Sequence, residues 1–112
     1  MDKTLSIQSG LGKRLNQVKK FEERTIMFKG KEIPLVSKIT IGRDPDNNIV
    51  LKDKMVSRYH AEIQKIKQEI FVRDLNSSNG TYVNDFEIPQ NKYARLQGKD
   101  RIRVGKTELI IR

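Results

Sequence analysis

The chain has 112 residues, a formal net charge of +9, one histidine and no cysteine. That length suits one ordinary domain and excludes a large enzyme, while the missing thiols exclude disulfides, thiolate catalysis and Cys-based zinc or iron–sulfur centres. Leu, Ile, Val and Phe number 32, above the roughly 20% that marks chains too apolar-poor to fold; with no apolar run of about 18 residues and no signal-peptide core after Met1-Asp2-Lys3, the expectation is a soluble cytoplasmic domain with an anionic partner.

From Gly10 to Arg24, Leu11, Leu15, Val18 and Phe21 recur at intervals of three and four, with Lys13, Arg14, Lys19 and Lys20 between them. This spacing predicts an amphipathic helix that Ser9 could cap, and it defines an N-terminal extension over 1–24. Its apolar stripe could pack on the rest of the chain or on a neighbouring subunit; a membrane-surface helix is the weaker alternative, since the stripe is short and holds no Trp.

From Thr25 to Arg112 the segments shorten to strand length and become rich in β-branched residues. Strands are predicted at Thr25–Phe28, Glu32–Val36, Lys38–Ile41, Asn48–Leu51, His60–Ile66, Ile70–Leu75, Thr81–Val83, Arg101–Val104 and Thr107–Ile111. Turn signals separate them, among them Lys29-Gly30-Lys31, Asp44-Pro45-Asp46-Asn47, Asn76 to Gly80 and Gly105-Lys106. Ala61 and Ile63, then Ile70 and Val72, alternate toward one face, with Glu62, Gln64, Phe71 and Arg73 on the other. Pro34 inside a strand-like run suggests an edge or an interruption. Short strands with regular turns read as an all-β sandwich or barrel whose loops, gathered at its ends, carry any binding site.

Enzyme and metal readings fail on these residues. Ser57, His60 and Asp53 or Asp74 have the residue types of a nucleophilic triad, yet no Gly-x-Ser-x-Gly elbow is present and a lone histidine opening a strand is more often structural. Gly10-Leu-Gly12-Lys13-Arg14 lacks the spacer and Lys-Ser/Thr pair of a phosphate loop. Asp44-Pro-Asp46-Asn-Asn48 starts like a calcium loop, but Ile49 stands where glycine is required and Met55 where glutamate closes the site. The expectation is a non-enzyme without cofactor or metal.

Three loop segments form a more specific set: Ile41-Gly42-Arg43, Ser57-Arg58-Tyr59-His60 and Asn76-Ser77-Ser78-Asn79-Gly80-Thr81. Singly, each is an ordinary strand end, exposed loop or hairpin turn. In this order and spacing, framed by Ile-Thr-Ile-Gly-Arg, Asn-Asn-Ile-Val-Leu, Val-Ser-Arg-x-His-Ala and Asp-Leu-Asn-Ser-Ser-Asn-Gly-Thr-Tyr-Val-Asn, they closely resemble the forkhead-associated (FHA) domain over residues 25–112. The resemblance implies a sandwich of about eleven strands in two sheets, mostly antiparallel, whose loops at one end bind a phosphothreonine peptide.

By position, the resemblance implies Arg43, Ser57 and Arg58 as phosphate ligands, Ser78 as a further hydroxyl donor and Asn79 as the clamp on the peptide backbone. It implies supporting roles for Gly42, His60, Gly80, Thr81 and Asn84. A phosphate monoester carries about −1.5 to −2 charge and three acceptor oxygens, so guanidinium forks and hydroxyls suit it. Some proteins resembling this one carry a phosphorylatable threonine in an N-terminal tail that binds their own pocket; Thr4 and Thr25 are the acceptors to consider. The implied function is an adaptor in Ser/Thr kinase signalling, its partners phosphothreonine proteins, the kinase or its substrates, or its own tail. A phosphate-independent scaffold, for instance in a secretion assembly, is the rival. A nucleic-acid binder is disfavoured, because the positive charge divides between the extension and the β-region and aromatics make up only 6% of the chain, too few for a stacking platform.

Overall fold

The computed structural model describes residues 24–112, so residues 10–23 of the predicted helix lie outside the described residues, and Arg24, its predicted last residue, is in no helix. Eleven strands follow in chain order: β1 (Thr25–Phe28), β2 (Lys31–Pro34), β3 (Lys38–Gly42), β4 (Ile49–Val50), β5 (Ala61–Ile66), β6 (Glu69–Asp74), β7 (Thr81–Val83), β8 (Phe86–Glu87), β9 (Tyr93–Leu96), β10 (Arg101–Val104) and β11 (Thr107–Ile111). They form a five-stranded sheet in the order β9-β6-β5-β3-β4 and a six-stranded sheet in the order β2-β1-β11-β10-β7-β8. The architecture is an all-β sandwich. Strand pairing is antiparallel except between β3 and β4, where Ile41 opposes Ile49 in a parallel ladder.

Period-two patterning builds the sheets. Along β5 and β6 the inward residues Ala61, Ile63, Ile70 and Val72 are buried, with Ile63 directly opposite Val72. On the facing sheet Ile26, Ile102, Val104, Leu109 and Ile111 complete the same apolar cluster. Each fully buried side chain of this size stabilises the fold by about 1.5–3 kcal/mol, so the core rests chiefly on isoleucine, leucine and valine, whose branched side chains suit a pleated surface. Glu62 points to the opposite face, yet it is only 6% exposed, because Arg73 at 2.9 Å and Lys38 at 3.9 Å close over its carboxylate.

Several boundaries differ from the sequence reading. The second strand runs Lys31–Pro34 and not to Val36; Pro34 ends an edge strand, Leu35 turns into the core and Val36 is 80% exposed. Two strands were unforeseen, β8 and β9. The β5–β6 hairpin closes through Lys67-Gln68, with Lys67 at φ 58°. The loops following β3, β4 and β6 meet at one end of the sandwich, tied to one another by hydrogen bonds.

Candidate functional site

The loop after β3 begins with a close approach. A Cβ on Gly42 would lie 2.1 Å from the Arg58 carbonyl oxygen and 2.7 Å from Asn47 Nδ2, so only glycine admits the loop after β4 at this point. Arg43 N–H donates to Ser57 O at 3.0 Å, and Arg43 Nε donates to Val56 O at 2.9 Å. The second bond fixes the guanidinium plane while leaving both terminal nitrogens of the fork, and the side chain is exposed.

Asn47, absent from the sequence-based site, holds this junction from behind. It is buried, and its Nδ2 donates to Asp44 O and to Arg58 O, each at 2.8 Å. Asp44 Oδ1 accepts the Asp46 N–H at 2.9 Å, the local side-chain turn that the Asp-Pro-Asp-Asn run favours.

His60 joins three segments. Its ring is fully buried; Nδ1 accepts the Ser57 N–H at 3.0 Å and Nε2 lies 2.8 Å from the Gly80 carbonyl oxygen. Accepting at Nδ1 and facing a carbonyl at Nε2 requires the Nε2–H tautomer. Neither ring nitrogen is then available to take a proton from Ser57 Oγ, and Asp74 is occupied elsewhere, so the residues of the tested triad do not assemble as one.

Asp74 is likewise fully buried. Its carboxylate accepts from Ser77 N at 3.0 Å, from Thr81 Oγ1 at 2.7 Å and from Ser77 Oγ, and Ser77 Oγ in turn accepts the Gly80 N–H at 2.9 Å. This network shapes the loop after β6, with Gly80 at φ +89°. Asp74 entered the sequence reading only as a triad candidate and Ser77 only within a loop motif; the signal for the role they take here is an Asp closing an alternating strand with Ser three residues on, a side-chain turn.

That loop carries Ser78 and Asn79 onto the loop after β4. Ser78 N–H donates to Ser57 Oγ at 3.0 Å, and Asn79 Nδ2 donates to Met55 O at 2.9 Å. Ser57 keeps its own O–H as a donor and Asn79 its side-chain oxygen as an acceptor. Arg43, Ser57, Arg58, Ser78 and Asn79 line one open depression of about 250 Å³, together with Lys54, Met55 and Val56. Its walls, among the described residues, contain no carboxylate. Lys54 and Met55 are additions to the sequence-based set.

Asn84 sits away from this depression. Its Nδ2 donates to Asp100 Oδ1 at 3.0 Å and its Oδ1 accepts Arg101 N–H at 3.0 Å, bracing the β7–β8 turn against β10. Thr25 opens β1 opposite Pro34, its hydroxyl 3.4 Å from Glu32 Oε2; a phosphate there would meet that carboxylate. Thr4 lies outside the described residues.

A two-sheet sandwich with convergent donors on end loops defines a ligand-binding module of the loop-site kind. The chain belongs to the FHA domain family, whose profile matches residues 39–105. It is 45% identical over 71 residues to the oxoglutarate dehydrogenase inhibitor of Corynebacterium efficiens, covering 63% of this chain and 48% of that protein. It is 42% identical over 69 residues to the glycogen accumulation regulator GarA of Mycobacterium tuberculosis, covering 62% and 41%. With the FHA domain-containing protein PS1 of Arabidopsis thaliana the identity is 38% over 76 residues, 66% of this chain and 5% of that one. The chain thus spans about half or less of the length of these relatives. Among solved structures, an FHA domain studied for its phosphothreonine-dependent interactions superposes with a TM-score of 0.72 at 35% identity, over 81% of this chain and 96% of the other. The FHA domain of FhaA, complexed with the intracellular domain of Rv3910, gives 0.71 at 35% identity, over 80% and 99%.

Proposed function

We propose that this chain is a phosphothreonine-dependent protein–protein interaction module, an adaptor that binds a partner after a Ser/Thr kinase has phosphorylated it. The observation that carries the reading is the meeting of Arg43 and Arg58 with Ser57, Ser78 and Asn79 around one carboxylate-free depression. A dianionic phosphate needs fixed donors, positive charge and no competing carboxylate. Arg43 offers a fork already oriented by Val56 O, Arg58 a second guanidinium, and Ser57 a hydroxyl whose acceptor side is satisfied by Ser78 N–H. Ser78, whose N–H meets Ser57 Oγ at 3.0 Å, adds a second hydroxyl beside it. Asn79 takes the peptide backbone, replacing hydrogen bonds that an extended segment loses on leaving water.

The solved FHA domain with phosphothreonine-dependent interactions supports this assignment. The ligand is an extended peptide, and the chain acts by holding it without any catalytic step. A cytoplasmic setting belongs to the same reading, in which a kinase supplies the ligand. The relatives named as a regulator and an inhibitor support a role in which docking controls a metabolic or signalling enzyme.

The test is a fluorescence titration against a degenerate phosphothreonine peptide library, with matched phosphoserine and unphosphorylated libraries and Arg43→Ala protein as controls. Binding selective for phosphothreonine and lost in Arg43→Ala is the expected result. Binding indifferent to phosphate would replace the adaptor with a scaffold that uses its sheet faces.

A further inference from the structure

Next to the phosphate depression lies a larger one, of about 590 Å³, that shares Lys54 and Met55 with it as a common wall. Its other cations come from separate parts of the chain: Lys29 from the β1–β2 turn, Lys52 from the loop after β4 and Lys106 from the β10–β11 turn. All four lysines are exposed, and among the described residues none is ion-paired with a carboxylate.

The one acid in the wall among the described residues, Asp53, is occupied by backbone. Its Oδ1 accepts the Met55 N–H at 2.9 Å and its Oδ2 the Lys106 N–H at 3.0 Å. Asp53 therefore ties the loop after β4 to the β10–β11 turn, which brings Lys52 and Lys54 alongside Lys106. Four ammonium groups against one engaged carboxylate leave this hollow strongly positive, and like charges held together in a concavity favour an anionic occupant.

We propose that this hollow receives acidic side chains of the same peptide that carries the phosphothreonine, so that the preferred ligand has Asp or Glu residues flanking the phosphorylated one. The inference rests on the phosphothreonine reading above. Continuity decides for a peptide over a separate polyanion: the two hollows share a wall, and an extended chain advancing about 3.3 Å per residue crosses from one to the other within a few residues. Among the described residues the lining also offers no aromatic ring on which a nucleic-acid base could stack. Lysine, a mobile point charge, suits carboxylates at variable positions better than one fixed geometry.

The test uses the full chain and labelled phosphothreonine peptides whose flanks, on either side in turn, carry Asp/Glu or Asn/Gln, each with its unphosphorylated counterpart. At low ionic strength the acidic flank on one side should tighten binding roughly three- to tenfold, the yield of a few exposed ion pairs, and high salt should shrink the difference. In the Lys29→Ala/Lys52→Ala/Lys106→Ala variant that advantage should fall below about twofold, while the neutral-flank phosphopeptide loses only the long-range pull of the three charges, a smaller loss that high salt removes, and keeps its phosphate dependence, which also reports an intact fold. Lys54 is left in place because it lines the phosphate depression. Equal binding of acidic and neutral phosphopeptides, or an acidic preference that survives the triple substitution, would overturn this proposal and leave the phosphothreonine reading standing. Unphosphorylated acidic peptides binding as well as phosphorylated ones would overturn both. A single-stranded oligonucleotide that displaces the acidic peptide at lower concentration, and loses that ability in the triple variant, would reassign the hollow to nucleic acid.

Discussion

His60 Nε2 lies 2.8 Å from the Gly80 carbonyl oxygen, a buried bond that joins two loops separated by 20 residues of chain. Because Nδ1 of the same ring accepts the Ser57 N–H, the imidazole is a strut between the loop that carries Ser57 and Arg58 and the loop that carries Ser78 and Asn79. His60→Ala leaves a cavity and strands a buried N–H and a carbonyl, which together cost about 2–4 kcal/mol. Denaturant unfolding should register that loss, and phosphopeptide affinity of the folded fraction should fall as well. A variant as stable as the parent would show that the loops hold one another without the ring.

Gly42→Ala tests the close approach of the first two loops. Its methyl would occupy space 2.1 Å from a backbone oxygen, that of Arg58, with Asn47 Nδ2 at 2.7 Å on the other side. Backbone must move, since the Arg58 oxygen is main chain and the Asn47 amide is pinned by its bonds to Asp44 O and Arg58 O. Overpacking of this kind costs roughly 1–3 kcal/mol or more. The expected readout is a lowered Tm together with weaker phosphopeptide binding, because the displaced segment carries Arg58.

Arg43→Ala separates binding from stability. The side chain is exposed, and among the described residues its one internal bond runs from Nε to Val56 O, so unfolding free energy should drop by no more than about 1 kcal/mol. Losing a guanidinium from a phosphate contact costs about 2–5 kcal/mol of binding, a loss of tens-fold to thousands-fold by titration. Lys92→Ala, an exposed lysine outside both depressions, should leave affinity within about twofold. Equal small losses from both would move the phosphate elsewhere.

The strands were legible where alternation was strong, as at Ala61, Ile63, Ile70 and Val72. They were not legible at β8, whose Phe86 is 77% exposed, nor at β9, where Tyr93 and Arg95 face solvent and only Ala94 and Leu96 turn inward. The parallel β3–β4 pairing left no local mark, because its direction is set by how the loop over 43–48 returns the chain to β3, where Leu51 N–H reaches Gly42 O at 2.9 Å. At the site, the order and spacing of three loops pointed to five side chains that line one depression. The supports behind them were hidden for a physical reason. Asn47 looks like any turn asparagine until its amide meets Arg58 O, 11 residues away, and Asp53 looks like a solvated acid until the β10–β11 turn folds over it.

Asp53 carries the last prediction, because its charge is coupled to the shape of both depressions. Hydrogen bonds from the Met55 N–H and then from the Lys106 N–H, with the Lys106 charge adding to them, hold its carboxyl below the usual carboxylate range. A depressed folded-state pKa means that the ionised form is favoured in the native protein. The stabilisation is present in full above the unfolded-state value and is lost as pH falls through the folded-state value. Asp53→Asn exchanges one acceptor oxygen for an amide that faces a donor, so the variant should be less stable than the parent at neutral pH, with the gap narrowing below roughly pH 4 as the parent carboxylate protonates. The group is solvent-accessible, so the gap is modest and shrinks in salt. Thermal unfolding of both proteins from neutral pH to pH 3 reads it directly, and a gap constant across that range would show that carboxylate charge is not its source. Peptide affinity at neutral pH should fall in the variant too, since the loop that Asp53 fastens presents Met55 O to Asn79 and Val56 O to Arg43.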